Sequence, residues 1–200
     1  MNRFPLDESG RCMLCRLGLR GFDAVYSYGS YDATLRQLIH VFKYGGVRPL
    51  AEPFGRFLAQ ALPREAGFDV IVPMPLHWFK RWQRGFNQAE LLAIEIGRKW
   101  NVPVRTLVRR RRSTAPQAGL TNAKRRANVQ GAFRIAKSGR LNGLRVLLVD
   151  DVVTTGATAS ACARVLKRAG AAHVSLLALA RTDRRTAIDD AFVNTQGVQA

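Results

Sequence analysis

Val146-Leu-Leu-Val-Asp-Asp-Val-Val-Thr-Thr-Gly-Ala-Thr158 carries more chemical meaning than any other stretch of this chain. Arg145–Val149 holds no polar side chain after its first residue, the composition of a strand buried on both faces. Two adjacent carboxylates follow, then a Thr/Gly loop. Ala157–Ala169 comes next, a helical pattern with Gly170 just past its end. A helix start offers backbone N–H groups and the positive end of the helix dipole, and both suit a phosphate. Thr154, Thr155 and Thr158 add hydroxyl donors, and Gly156 lets the backbone approach closely. Asp150 and Asp151 have the wrong sign for phosphate. They suit the hydroxyls of a neighbouring sugar diol, beside a hard cation. Each piece is common in a purely structural setting, such as a strand ending in Asp before a Thr-capped helix. In this order they ask for a phosphorylated sugar.

Outward from this stretch, apolar and helical patterns alternate. Asp32 is positioned to cap a helix through about Lys43, with Leu35, Leu38, Ile39 and Phe42 on one face and Gly45-Gly46 as the stop. Leu50–Leu62 is a second amphipathic run, with Phe54, Phe57, Leu58 and Ala61 on its stripe. Asp69-Val-Ile-Val-Pro73 predicts a short buried strand ended by Pro73 and Pro75. Asn87-x-x-Glu90 resembles a capping box that opens a helix to about Trp100. Val102–Val108 is expected as a strand, followed by a long basic segment from Arg109 to Gln130, and Val174–Ala180 as another strand. Strands alternating with helices predict an α/β fold, a mostly parallel sheet flanked by helices. Ligands of such sheets bind outside the carboxyl ends of the strands, here after Val72, Val108 and Val149.

The 200 residues fit one domain of ordinary size, expected over 22–183, with an N-terminal segment 1–21 and a polar tail 184–200. The hydrophobic share of 47% is enough for a core and excludes wholesale disorder. No apolar run nears the roughly 20 residues that span a bilayer, so membrane insertion is not expected. Met1–Gly10 show no charged stretch followed by an apolar one, and three cysteines make no disulfide framework, so no signal peptide and a cytoplasmic location are expected. The formal charge is +18, and the stretch from Ile96 to Val149 holds fourteen basic residues and no acidic one. Such a surface attracts polyanions, whether nucleic acid or a small multiphosphate.

These residues resemble a known family. Val146–Thr158 looks like the phosphoribosyl pyrophosphate (PRPP) signature of type I phosphoribosyltransferases. More narrowly, the chain resembles the ComF/GntX group of bacterial phosphoribosyltransferase-like proteins associated with competence. The matching segments are Leu38-Ile-His-Val-Phe-Lys-Tyr-Gly-Gly46, Asp69-Val-Ile-Val-Pro-Met-Pro-Leu76 and Arg84-Gly-Phe-Asn-Gln-Ala-Glu-Leu91. Pro116-Gln-Ala-Gly-Leu120 and Arg126-Ala-Asn-Val-Gln-Gly-Ala-Phe133 match as well, so the likeness spans roughly residues 22–181.

The resemblance implies a type I phosphoribosyltransferase-like fold, PRPP as ligand with Mg²⁺, and a role in DNA uptake with single-stranded DNA and other competence proteins as partners. Asp150 and Asp151 would hold the ribose hydroxyls and be the catalytic acids. Val153, Thr154, Thr155, Gly156, Ala157 and Thr158 would cradle the 5′-phosphate. The turn after the Asp69–Pro73 strand would be the pyrophosphate loop, ending near Arg84-Gly85, and Arg109–Arg126 the flap that closes over PRPP. Arg84 is the first choice for a pyrophosphate contact, with Lys43 and one of Arg109–Arg112 (Arg109 and Arg112 foremost) behind it. PRPP binding is the first functional expectation and DNA uptake the second. Transfer to an acceptor, for which no pocket is recognisable, is the third. The alternative is a basic accessory that binds single-stranded nucleic acid and uses the fold without catalysis.

Cys12-Met-Leu-Cys15 is half of a zinc ribbon, which in this family often has four cysteines; Cys12 and Cys15 alone leave the ligand set incomplete, and His40 does not complete it. Two chains sharing one ion would. Cys162 reads as a small core residue, and His77 and His173 have no evident partner. Trp78, Phe79 and Trp82, interleaved with Lys80, Arg81 and Arg84, suit stacking on bases or packing of the loop against the domain. The usual burial of large aromatics favours packing.

Overall fold

The structure is a computed structural model that describes residues 21–111, 131–136 and 141–182. The segments holding Cys12, Cys15 and Arg112, most of the expected flap and the polar tail lie outside the described residues. Four strands form one wholly parallel sheet: β1 (Ala24–Ser30), β2 (Val70–Pro73), β5 (Arg145–Val153) and β6 (His173–Arg181), in the order β1-β6-β5-β2. A separate antiparallel pair joins β3 (Val108–Arg110) to β4 (Phe133–Ile135). The helices are α1 (Ala33–Tyr44), α2 (Ala51–Ala61), α3 (Trp78–Arg84), α4 (Gln88–Trp100) and α5 (Ala157–Arg168).

Side-chain alternation along the central strands builds two apolar layers. Val146 and Leu148 of β5, with Val70, Val72, Leu176 and Ala178, face α5. Leu147 and Val149, with Ile71, Leu177 and Leu179, face the layer that contains Phe42, Phe54, Leu58, Leu92 and Ile96 from α1, α2 and α4. Covering both faces explains why these strands read as unbroken apolar runs. The face of α5 toward the sheet carries Ala159, Cys162 and Ala163, small enough for close approach, with Leu166 at its C-terminal end.

Several expectations need correction. Val102–Val108 is not a strand: Val104 makes a lone parallel bridge to Ile71, flanked by Pro103, and regular pairing begins only at Val108. β5 does not stop at Val149. It continues to Val153 because β6 runs alongside it as far as Arg181, so both acids lie on the strand itself. Asp32 occupies the N-cap position of α1 without a side-chain hydrogen bond. At α4 the side chain of Asn87 accepts from the Ala89 N–H at 3.2 Å. Glu90 does not close the box; it pairs with Arg81 at 3.2 Å.

The turn expected between Pro73 and Gly85 contains the short helix α3. Its start is capped by His77, whose Nδ1 accepts from the Phe79 N–H at 3.3 Å. It ends at Gly85, in the left-handed conformation at φ +74°. On this helix Trp78, Phe79 and Trp82 are exposed rather than packed. Two turns of helix with cations on the side toward the domain leave their rings no core to enter. Among the described residues no helix is long and apolar enough to cross a membrane.

Candidate functional site

At the carboxyl ends of β2 and β5 lies a cleft of about 290 Å³. The strand order brings these two ends side by side, since Pro73 pairs with Val149. The loop Thr154–Gly156 turns the chain out of β5 and into α5, with Gly156 at φ +71° as the helix N-cap. Val153, Thr154, Gly156, Ala157 and Thr158 line the cleft. Thr155 does not; its hydroxyl accepts from the Ala157 N–H at 3.5 Å and belongs to the turn itself.

Asp150 and Asp151 both line the cleft, and they are held differently. Asp151 Oδ1 forms an ion pair with Lys43 Nζ at 2.8 Å. Lys43 arrives from the last turn of α1, where the apolar stripe of Ile39 and Phe42 pins the helix to the sheet. Asp150 Oδ1 accepts from the Asp151 N–H at 2.9 Å. Burial and then the neighbouring charge of Asp151 push its carboxyl up to about 7; Lys43, that N–H and Arg110 pull the other way. Burial opposes the charge on Lys43, but Asp151 and Asp150 outweigh it and hold its pKa above the usual lysine value.

Lys80 and Arg84 of α3 and Arg110 of β3 complete the charged wall. Four cations against two carboxylates leave two positive charges around one cleft. Burial, then repulsion from Arg110 and Arg84, lowers the pKa of Lys80. Arg84 is well positioned: its guanidinium donates to Gln88 Oε1 at 3.2 Å and to the Tyr44 hydroxyl at 3.0 Å, and it lies 4.8 Å from the Tyr44 ring centroid. Gln88 is itself buried and donates to the Lys43 carbonyl at 3.5 Å, so both cations share one support.

The structure thus brings together Lys43, Arg84, Asp150, Asp151 and most of the Thr/Gly loop. Arg109 does not join them: it is exposed on β3, and the strand's alternation turns its neighbour Arg110 inward instead. Arg112, Cys12 and Cys15 lie outside the described residues. Lys80, Asn87 and Gln88 were missed by the sequence reading. Lys80 and Arg84 stand four residues apart, one helical face, a signal that needed α3 to be recognised first. Cys162 is buried behind Asp150, and burial and then that carboxylate push its thiol far above the ordinary range, as befits a core residue. Among the described residues no group of three or more His, Cys, Asp or Glu is placed to hold a metal ion.

The raised Asp150 has a consequence for stability. Its folded-state pKa lies above the ordinary 3.8, so the folded chain binds its proton more tightly than the unfolded chain does. That contribution is fully present below about pH 4 and is lost as pH rises toward about 7. Asp150→Asn is therefore expected to melt progressively higher than the parent as pH rises through this window. Melting curves whose separation stays constant from pH 4 to 7.5 would refute it.

The family described as phosphoribosyl transferase domain matches residues 83–197. The chain is similar to competence protein F of Haemophilus influenzae, 33% identical over 179 residues that cover 85% of this chain and 78% of that one. It is similar to the DNA utilization protein YhgH of Escherichia coli, 36% identical over 162 residues, 76% of this chain and 69% of that one. Among solved structures, the adenine phosphoribosyltransferase of Thermoanaerobacter pseudethanolicus is similar with a TM-score of 0.46 and 21% identity, covering 73% of this chain and 78% of that one.

Proposed function

This chain belongs to the ComF group of phosphoribosyltransferase-like proteins, and from that premise we propose that it binds PRPP in the cleft at the ends of β2 and β5 and serves DNA uptake. The observation that carries the reading is one cleft holding two strand-end carboxylates, a Thr/Gly loop opening a helix, and a wall of Lys43, Lys80, Arg84 and Arg110. In this reading the N-terminal turn of α5 and the hydroxyls of Thr154 and Thr158 receive the 5′-phosphate. Asp150 and Asp151 accept from the ribose hydroxyls, and Lys43 holds Asp151 in place until they do. Lys80, Arg84 and Arg110 face the diphosphate, where negative charge would gather if the sugar–oxygen bond broke.

Mg²⁺ fits this donor set as an ion that arrives with the ligand. Two carboxylates do not make a full site, but Mg²⁺ commonly takes one or two carboxylates together with substrate phosphate oxygens and water. It would supply charge neutralisation at the diphosphate. The names of the relatives, competence protein F and DNA utilization protein, support the DNA side of the reading. A cytoplasmic location goes with it.

Calorimetric titration tests the proposal, at about 0.15 M salt where attraction between exposed charges is screened. PRPP with Mg²⁺ should bind more tightly than pyrophosphate or ribose 5-phosphate alone, because only PRPP engages the loop, the carboxylates and the cationic wall together. PRPP binding no better than pyrophosphate would overturn it.

A further inference from the structure

Among the described residues, the seven large hydrophobic side chains left exposed all lie on α1, the turn after it, and α3. The three on α3 stand out: Trp78 is 69% exposed, Phe79 49% and Trp82 78%. Their rings follow one another, with centroids 6.0 Å apart from Trp78 to Phe79 and 6.3 Å from Phe79 to Trp82. Burial would remove a large apolar area from water, so a folded chain that leaves all three outside has left them for something else.

The composition of α3 selects the occupant. Its seven residues comprise three aromatics, three cations and Gln83. Two pairs sit four residues apart, about 200° from each other around the axis at 3.6 residues per turn. Lys80 and Arg84 form the pair that lines the cleft, and Trp78 and Trp82 form the pair that faces outward. Arg81 is exposed beside the rings and makes a surface ion pair with Glu90. Arg48 stands at the helix end, donating to the Gly85 carbonyl at 3.3 Å. A second copy of this chain would bring like charges face to face, at +18 on each. An interfacial membrane helix is longer than two turns and sets its cations along a polar face toward the headgroups, whereas here two of three cations turn into the protein. Unpaired bases joined by phosphates match both features at once: flat rings to stack on and negative charge for the cations at the rim.

We propose that the outward face of α3, with Trp78, Phe79 and Trp82 as stacking platform and Arg48 and Arg81 as phosphate contacts, is a binding surface for single-stranded DNA. The inference rests on the DNA side of the proposed function and is independent of PRPP binding. It uses the side of α3 that the cleft does not.

The test measures binding by fluorescence anisotropy, using labelled oligo-dT, an abasic strand of the same length, oligo-U, a DNA duplex and anionic phosphatidylserine vesicles. The proteins are the full chain and its W78A/W82A variant, which keeps every charge. A stacked base contributes on the order of fivefold or more in affinity, so losing two rings should weaken oligo-dT binding by about thirty-fold or more. The parent should prefer oligo-dT to the abasic strand and the duplex, and the variant should lose that preference. Unchanged oligo-dT binding by W78A/W82A would overturn the surface while leaving DNA binding and PRPP binding in place. No strand binding by the parent would overturn the DNA reading as well. Trp-dependent binding to the vesicles in preference to oligo-dT, tighter binding of oligo-U than oligo-dT, or a parent dimer that W78A/W82A converts to monomer would each overturn the assignment to DNA.

Discussion

Replacing both Asp150 and Asp151 by asparagine is expected to weaken PRPP binding by at least a hundredfold while the chain stays folded. In the proposed complex each carboxylate accepts a hydrogen bond from a sugar hydroxyl, and bonds of this charge-assisted kind contribute about 1.5–3 kcal/mol each. Two of them amount to about 3–6 kcal/mol, or about a hundredfold to about ten-thousandfold at about 1.4 kcal/mol per factor of ten. The sign makes the experiment decisive. PRPP is strongly anionic, and the double variant takes the negative charge of both acids out of a cleft already lined by Lys43, Lys80, Arg84 and Arg110. If the cleft merely attracted anions, the variant would bind PRPP more tightly than the parent. The fold should tolerate the change. Asparagine has nearly the shape of aspartate, and the repulsion between the two acids disappears with them. Against that, Lys43 loses its partner at 2.8 Å, a cost that keeps any gain small. Calorimetry at matched ionic strength reads the affinity and a circular dichroism melt reads the fold. Tighter or unchanged PRPP binding by a folded variant would end the proposal that the acids recognise the sugar.

The second large effect is expected on stability, from Gly97→Val in the last turn of α4. At Gly97 the helix comes so close to the Val102–Val104 segment that an added Cβ would lie 2.7 Å from Val104 Cγ2 and 2.9 Å from the Val102 carbonyl oxygen. The carbonyl cannot move cheaply. Its neighbour Pro103 accepts from the Ile71 N–H at 2.9 Å, and Arg105 returns a bond to the Ile71 carbonyl at 2.9 Å, so the segment is tied to β2. Overpacking of this kind costs about 1–3 kcal/mol, and a β-branched side chain adds crowding against the preceding turn. Some gain in helix propensity from losing glycine offsets it by less than about 1 kcal/mol. A net loss of about 2 kcal/mol corresponds to a melting temperature lower by about 4–8 °C. A variant that melts with the parent would mean that the Val102–Val104 segment yields, and that its bridge to β2 is not a fixed part of the fold.

The elements that sequence reading finds are those with a strong internal rhythm. β5 and β6 are legible because both faces of the sheet are covered, which leaves an apolar run with little room for another interpretation. β1 is not legible. As an edge strand, Ala24–Ser30 is half-buried at all seven positions, so its residues show neither a continuous apolar run nor a period of two. α3 carries no apolar stripe toward the core, and only its ends announce it: His77 at one and Gly85 at the other. The site divides in the same way. Asp150, Asp151 and the Thr/Gly loop are local in sequence and could be found together. Lys43 and Arg84 came from resemblance, and the inward turn of Arg110 in place of Arg109 depends on a strand register that nothing local determines.

The pairing of β1 with β6 has a consequence for how the chain is made. The Val174 N–H donates to Asp23 at 2.7 Å across 151 residues of sequence, and among the described strands β1 hydrogen-bonds to β6 alone. During translation at about 5–20 residues per second, β1 waits roughly 8–30 s for its partner to leave the ribosome. α1 follows β1 directly, and its Lys43 pairs with Asp151, which is synthesised far later. The cleft's four cations are synthesised before its two carboxylates. Until β6 has left the ribosome, β1 has no partner strand among those described.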